Sequence, residues 1–124
     1  MKKLNLTCKV TSEDSHVGFT TIAEYNNNRI KFVDEEGILN YVIIKDNILE
    51  YYKKGDVDMK YKFDLDHVTK GYYRVMGTEF DFKIVTNILL IDDSSIYVEY
   101  DLYQDSDLVN KSKISLTYET KEES

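Results

Sequence analysis

Apolar and polar residues alternate one by one along most of the chain, a pattern typical of β-strands that bury one face and expose the other. The clearest stretches are 4–10, 57–63, 80–84 and 96–102. In the second of these, apolar side chains occupy the odd positions and Asp or Lys the even ones. An apolar repeat of 3.6 residues sustained over three turns, which would indicate a helix, is absent. The pattern therefore predicts an all-β protein.

Clusters of Asn, Asp, Ser and Gly separate the alternating stretches. Such side chains tolerate positive φ or bond their own backbone, as tight turns require. The clusters lie at 12–15, 26–28, 34–37, 46–47, 54–55, 77 and 92–95. Strands recur about every 8–12 residues, the spacing of a sandwich or barrel. Because an open meander leaves unpaired edges, we predict a closed antiparallel barrel of about eight to ten strands.

Length and composition indicate one domain, residues 1–124. The chain has 124 residues, 42% of them hydrophobic and 31% charged, and no proline. A chain of this length buries roughly two-thirds of its unfolded surface, which is enough for one core. No composition break or Pro/Gly-rich linker divides it.

Charge and cysteine usage restrict the partners and the compartment. The formal net charge of -7 argues against broad binding to nucleic acid or anionic membranes, because Lys and Arg drive such binding. Cys8 is the only cysteine, so no intramolecular disulfide forms. The start of the chain lacks the apolar run of an export signal, and no apolar run is long enough to cross a bilayer. We expect a cytoplasmic protein with no nucleic-acid or membrane partner.

The segment 51–85 interleaves basic and aromatic residues and has two interpretations. The residues concerned are Lys53, Lys54, Lys60, Lys62, Lys70 and Arg74 with Tyr51, Tyr61, Tyr72 and Tyr73. As a site, they would form a cationic patch with stacking surfaces for a nucleotide. As structure, the lysines are the solvated face of a strand whose other face is apolar. Alternation favours the structural interpretation.

Catalytic and metal-binding signals are weak. The sequence contains none of the common nucleophile-elbow, phosphate-loop or zinc-protease motifs. Cys8 alternates with apolar residues and is predicted to be a buried thiol. His67 beside Asp66 resembles an acid–base pair, but no nucleophile accompanies it. The acidic runs 64–66 and 105–107 lack the remaining ligands of a calcium or zinc site. We expect no enzymatic activity, no metal and no cofactor.

Glu50 is the least expected charged residue, because both faces of the run 48–52 carry apolar side chains. If Ile48 points inward, Glu50 does too. A buried carboxylate needs a cationic partner, for which Lys60 or Arg74 is the candidate.

Motifs spread over the chain resemble the YwiB-like family of small bacterial proteins. The resembling strings are "YYKKGDVDMKYKF", "GYYRVMGTEFDFKIVTN", "IYVEYDLYQD" and "NKSKISLTYE". The landmark positions are Lys53, Gly55, Met59, Lys60, Phe63, Tyr73, Gly77, Tyr100 and Leu102. One departure is Lys53-Lys54, where the family pattern has an arginine, so bidentate anion binding by a guanidinium is not expected there.

The resemblance implies a calycin-like, or lipocalin-like, barrel with no established function. Such a barrel either holds one small ligand or is filled by its own side chains. We expect a small apolar or anionic ligand. The residues expected to contact it are Glu50, Lys53, Lys60, Tyr73, Arg74 and Tyr100. The alternative is a solid-core structural or protein-interaction module that uses outward tyrosines such as Tyr97 and Tyr103.

Overall fold

β-Branched and aromatic residues, which suit a pleated and half-buried surface, place most of the chain in strands. The computed structural model describes residues 2–121, and within them lie ten strands. Their bounds are β1 Lys2–Ser12, β2 His16–Asn26, β3 Arg29–Val33, β4 Leu39–Lys45, β5 Ile48–Lys54, β6 Val57–Asp64, β7 Thr69–Val75, β8 Thr78–Ile91, β9 Ser95–Gln104 and β10 Asp107–Thr120. The all-β prediction is confirmed.

The strands form one sheet that closes on itself. Each strand pairs antiparallel with its neighbour in sequence, and β10 returns to pair with β1 over Leu4–Ser12. The predicted closed antiparallel barrel is therefore confirmed, at ten strands. No helix long and apolar enough to span a membrane occurs in residues 2–121.

Alternate connections gather at opposite ends of the barrel. The links β1–β2, β3–β4, β5–β6, β7–β8 and β9–β10 lie at one end, called here the Asp34 end. The other four links lie at the opposite end, called here the Asp92 end.

The predicted turn clusters all fall between strands or at their ends. Asn27 and Asn28 have φ of 51° and 63°, which is the pattern of a two-residue type I′ hairpin turn. Asp46 and Asn47 join β4 to β5 in a second two-residue loop, as predicted.

The apolar face of each alternating stretch points into the barrel. Val57, Met59, Tyr61 and Phe63 of β6 are all buried, while Lys60 between them is exposed. The middle of the interior is occupied by aromatic rings: Phe63 and Tyr100 have centroids 4.7 Å apart, and Tyr61 lies 6.1 Å from Tyr100. Side chains therefore fill the middle of the barrel.

The seam between β2 and β3 is the least complete in the barrel. Within residues 2–121 the two strands pair at three positions, Glu24–Lys31, Tyr25–Ile30 and Asn26–Arg29. β2 continues for eight further residues toward the Asp34 end, paired there with β1 alone. Phe19 and Phe32 partly close the gap from inside, with ring centroids 6.1 Å apart.

Candidate functional site

The six residues predicted to contact a ligand do not come together. Lys53 and Tyr73 lie near the Asp34 end, and Tyr100 is buried in the core. The other three lie on the outer face of the wall formed by β5–β7: Glu50, Lys60 and Arg74. In the structure the six residues therefore do not share one pocket.

Glu50 points outward, which corrects the expectation that it faces the interior. Leu49 and Tyr51, its neighbours in β5, take the inward positions and are nearly fully buried. The Glu50 carboxylate is nevertheless covered, because Lys45 Nζ lies 2.7 Å from Oε1 and the Tyr52 hydroxyl donates to Oε2 at 3.1 Å. The Lys45 ammonium beside it is the main cause of the lowered pKa of Glu50, and it outweighs the raising effect of burial. Its direct cationic partner is thus Lys45, and not Lys60 or Arg74.

Lys60 and Arg74 lie over aromatic rings of the same outer wall. Lys60 Nζ is 5.8 Å from the Tyr52 ring centroid, and the Arg74 guanidinium is 5.4 Å from that of Tyr72. Arg74 also pairs with Asp58 on β6 and Glu79 on β8. These contacts match the solvated-face interpretation of the basic segment.

Lys53 turns inward at the Asp34 end and meets a buried carboxylate. Its Nζ lies 3.1 Å from Asp34 Oδ2, which also accepts a bond from Asn40 Nδ2 at 2.9 Å. Asp34 Oδ1 accepts the backbone N–H groups of Glu36 and Ile38. The Asp34 carboxylate therefore ties the β3–β4 loop across this end of the barrel.

Asn40 connects this carboxylate to the core. The side chain is fully buried; it donates to Asp34 and to the Ile38 carbonyl, and accepts a bond of 2.6 Å from the Tyr51 hydroxyl. Burial raises the pKa of Tyr51 well above its usual value. The hydroxyl is thus a permanent donor, and every polar group of the cluster Asp34–Asn40–Tyr51–Lys53 has a partner. Such saturation is typical of a structural network.

Cys8 and Tyr73 border this cluster without adding chemistry to it. Burial raises the pKa of the Cys8 thiol to about 11, so the reactive thiolate is scarce at neutral pH. The pKa of Tyr73 is raised by burial first, and then by Glu36 and Asp34. The buried thiol agrees with the sequence prediction.

A recess of 570 Å³ opens at the Asp92 end. Its floor is formed by apolar side chains on strands that meet there, among them Leu4 of β1, Ile44 of β4 and Ile91 of β8. Tyr25 of β2 and Tyr118 of β10 complete the lining below a polar rim. This recess is a mouth of the barrel, since its walls come from opposite sides of the sheet.

The two tyrosines of this recess are bonded at its rim. The Tyr25 hydroxyl donates to Asn28 Oδ1 at 3.1 Å, and the Tyr118 hydroxyl donates to the Asp92 carbonyl at 3.2 Å. Burial is the largest cause of the raised pKa of Tyr118, with smaller contributions from Tyr25, Asp92 and Asp93. Both rings are thereby fixed in place by hydrogen bonds at the rim.

Two further recesses lie along the wall of the barrel. One, of 560 Å³, is lined by Lys60, Lys70 and Lys83 together with two tyrosines, Asp81 of β8 and Asp105 of the β9–β10 link. The other, of 360 Å³, includes Tyr100 and lies beside the bulge in β8 at Asn87. Tyr100 and Lys60 thus each line a recess, but different ones.

Acid–base and metal chemistry find little support in this arrangement. Residues 2–121 hold no group of three or more His, Cys, Asp or Glu side chains placed to share a metal ion. His67 Nδ1 lies 3.1 Å from Asp64 Oδ2, so its carboxylate partner is Asp64, where the sequence pointed to Asp66. The imidazole is exposed at the surface of a loop.

The recess at the Asp92 end was missed by sequence reasoning. Ile44 ends the continuous apolar run 41–44, where alternation is lost, and elsewhere alternation predicts only that a side chain points inward. It does not say which inward side chains from different strands meet at an uncovered end. The nearest signal was the turn cluster at 92–95, which marks where two strands end.

Comparison with known proteins gives a family and a fold. The family model described as "Domain of unknown function (DUF1934)" matches residues 4–116. A similar solved structure, "Crystal structure of ywiB protein from Bacillus subtilis", has 17% identity and a TM-score of 0.71, and the alignment covers 98% of this chain and 93% of that one. Likeness at this identity shows the fold alone. No curated protein matches the sequence significantly.

Proposed function

The chain belongs to the DUF1934 family, and we propose that it is a non-enzymatic barrel that binds a small apolar ligand in the recess at the Asp92 end. The family and the similar ywiB structure confirm the resemblance to YwiB-like proteins. Neither supplies a ligand, so the proposal rests on the geometry of this molecule.

The observation that carries the proposal is the size and lining of the recess. Ligand pockets usually enclose roughly 300–1,000 Å³ and combine an apolar lining with a few polar groups. The recess encloses 570 Å³ over Leu4, Ile44 and Ile91. Because the hydroxyls of Tyr25 and Tyr118 are already bonded at the rim, a ligand would meet mainly apolar surface.

The charges at the rim favour an apolar ligand over an anionic one. Asp92, Asp93 and Glu119 lie there with one cation, Lys2. This excess of carboxylates would repel an anion. An anionic ligand would instead be attracted to the three lysines of the 560 Å³ recess on the outer wall.

The proposed location is the bacterial cytoplasm. A single cysteine, Cys8, that is buried and has a raised pKa suits a reducing compartment. The similar ywiB structure comes from a bacterium.

Titration with N-phenyl-1-naphthylamine, a neutral probe that fluoresces in apolar surroundings, tests the proposal. Ile44→Trp fills the recess, whereas Ile43→Trp places the same side chain on the outer face of β4. We expect the first variant to weaken probe binding by at least about tenfold and the second to leave it unchanged. Ile91→Trp, on the opposite wall, repeats the test should Ile44→Trp fold poorly by circular dichroism.

Native mass spectrometry of freshly purified protein adds an independent readout. An apolar molecule that copurifies with wild-type protein and is lost in Ile44→Trp would support the proposal. Absence of any copurified molecule, together with no probe binding by wild-type protein, would overturn it.

A second candidate function is a protein-interaction module with a solid core. The filled middle of the barrel and the open edge of β2 favour it. The outward tyrosines Tyr97 and Tyr103 lie on strands paired on both sides at those positions, so the open edge of β2 is the better candidate for a partner surface.

A further inference from the structure

The first part of β2 is an open sheet edge. Residues 16–23 pair with β1 on one side, and no strand within residues 2–121 pairs with them on the other. Val17 and Ile22 on this edge are 49% and 44% exposed. Val33, which lies across the gap on β3, is 50% exposed. The barrel is closed at the Asp92 end of this seam and open at the Asp34 end.

The backbone groups that face the gap are those of the even-numbered residues. Asn26 and Arg29 flank the two-residue turn, so their backbone groups point toward each other. Since these groups alternate between the two edges of a strand, Gly18, Thr20 and Ile22 direct their N–H and C=O groups into the open seam. An exposed row of this kind is a template for another strand.

Two other strand edges of this barrel are protected, and this one is not. β8 extends beyond its pairing with β9 over 78–82, where Glu79 and Asp81 carry charges. β10 extends beyond its pairing with β1 over 107–111, where Asp107 and Lys111 are charged and a bulge interrupts the strand. Charges and bulges are the usual means of blocking edge pairing. Residues 17–23 of β2 include no charge, no proline and no bulge.

We propose that this edge binds a second copy of the chain, β2 against β2, in an antiparallel pair. The two-fold axis passes through Thr20, so that Thr20 faces Thr20 of the partner subunit and Gly18 faces Ile22 of the partner subunit. Each such pair exchanges two backbone hydrogen bonds, about six in all. A contact of this kind is isologous and closes as a dimer.

In this register the side chains on the edge of one copy fit against those on the same edge of the other copy. Gly18 and Ile22 both present their outer side to solvent, so the missing side chain at Gly18 makes room for the partner subunit's Ile22. No ionisable group lies in 17–23, so pairing brings no like charges into contact, although each chain carries -7.

Charges beyond the paired segment also favour a second copy as the occupant. The antiparallel register brings the acidic turn Glu13-Asp14 of one copy toward the basic residues Arg29 and Lys31 at the start of β3 in the other. The two-fold axis repeats this contact.

Analytical ultracentrifugation over a wide concentration range tests the dimer. Wild-type protein should approach twice its mass of 14.6 kDa as concentration rises. Thr20→Lys places two ammonium groups on the axis and should raise the dissociation constant by at least about tenfold. Thr117→Lys is the matched control. Thr20, Thr7 and Thr117 lie side by side on neighbouring strands and face outward, but the strand that carries Thr117 is paired on both sides.

Cross-linking tests the register of the proposed β2–β2 pair. Cα atoms of a hydrogen-bonded antiparallel pair lie about 5.5 Å apart, within reach of a disulfide. Thr20→Cys should therefore form a covalent dimer with oxidised glutathione, and Thr117→Cys should not, while the native Cys8 stays buried. A wild-type chain that is monomeric at every concentration, or a dimer equally sensitive to both lysine variants, would overturn the proposal.

Discussion

Asn40 stabilises the Asp34 end of the barrel through three hydrogen bonds of its side chain. It is fully buried, and its amide donates to Asp34 and to the Ile38 carbonyl while accepting from Tyr51. Burying an amide is costly unless its groups are bonded, and here they are. Asn40 therefore stabilises the barrel only as long as Asp34 and Tyr51 remain in place.

Removing the Tyr51 hydroxyl should expose this dependence. Tyr51→Phe leaves Asn40 Oδ1 buried without a donor, and we expect a loss of roughly 1–3 kcal/mol in the free energy of unfolding, measured in urea. Tyr72→Phe, on the outer wall, should change it by less than about 0.5 kcal/mol. Equal effects of the two variants would contradict the structural role of the network.

The Asp34 carboxylate should make stability depend on pH. Burial acts to raise its pKa, but the bonds from Asn40, the Ile38 N–H and Lys53 outweigh burial, and the pKa lies below 3.8. A lowered pKa in the folded chain means that the stabilisation is complete above pH 3.8 and is lost as the pH falls toward the folded pKa.

Urea unfolding of wild-type protein and Asp34→Asn at several pH values measures this loss. The difference in unfolding free energy between them should shrink as the pH falls below 3.8. Lys53→Met, which removes the cationic partner, should show a weaker pH dependence than wild-type protein. Parallel curves for wild-type and Asp34→Asn would show that Asp34 does not contribute.

At the scale of the strands, β6 and β7 separate toward the Asp92 end of the barrel. Their pairing ends at Lys60–Tyr72, and side chains take over the backbone groups beyond it. The Thr69 hydroxyl donates to the Lys62 carbonyl, and the Asp64 N–H donates to Thr86 Oγ1 of β8. Gly71 lies just beyond the last pair, where β7 approaches β6 too closely for a side chain.

Substitution of Gly71 should be costly for this reason. A Cβ at Gly71 would lie 2.7 Å from the Lys60 carbonyl oxygen and within 3 Å of Ile84 and Tyr61. We expect Gly71→Ala to lower the unfolding free energy by about 1–3 kcal/mol. Gly18→Ala, where the nearest atom is 3.7 Å away, is the control in dilute protein and should have little effect. A neutral Gly71→Ala would mean that the strands can shift apart.

At the scale of the whole molecule, the barrel is filled in the middle and recessed at the Asp92 end. Phe63 is fully buried and contacts the rings of Tyr61 and Tyr100. Ligand binding and a solid core are thus compatible, because the ligand would bind at the Asp92 end and the core fills the middle of the barrel.

Truncation of Phe63 should test the filled middle. Phe63→Ala should lower the unfolding free energy by about 3–5 kcal/mol, whereas Phe80→Ala, at a position 40% exposed, should cost about 1 kcal/mol. Should Phe63→Ala fail to fold, Phe63→Leu gives a smaller loss in the same direction. Similar losses at the two positions would indicate a hollow middle.

Local pattern determined most of the fold. The positions of strands and turns, the inward faces of β1, β6 and β9 and the closure of the sheet were predicted from period-two alternation and turn residues, which act over a few neighbours. Glu50 marks the limit of this reasoning, since both faces of its run are apolar and the inward face was decided by pairing with β4 and β6.

Tertiary structure alone decided what the surface of the barrel offers. Lys53 and Asp34 lie 19 positions apart, and the recess at the Asp92 end combines strands from both halves of the chain. The open edge of β2 exists because β3 diverges from it after three pairs. Alternation determines the direction of each side chain but not the relative positions of distant strands. The sequence by itself therefore determined the barrel. Only the positions of distant strands in the folded chain determined the recess and the open edge.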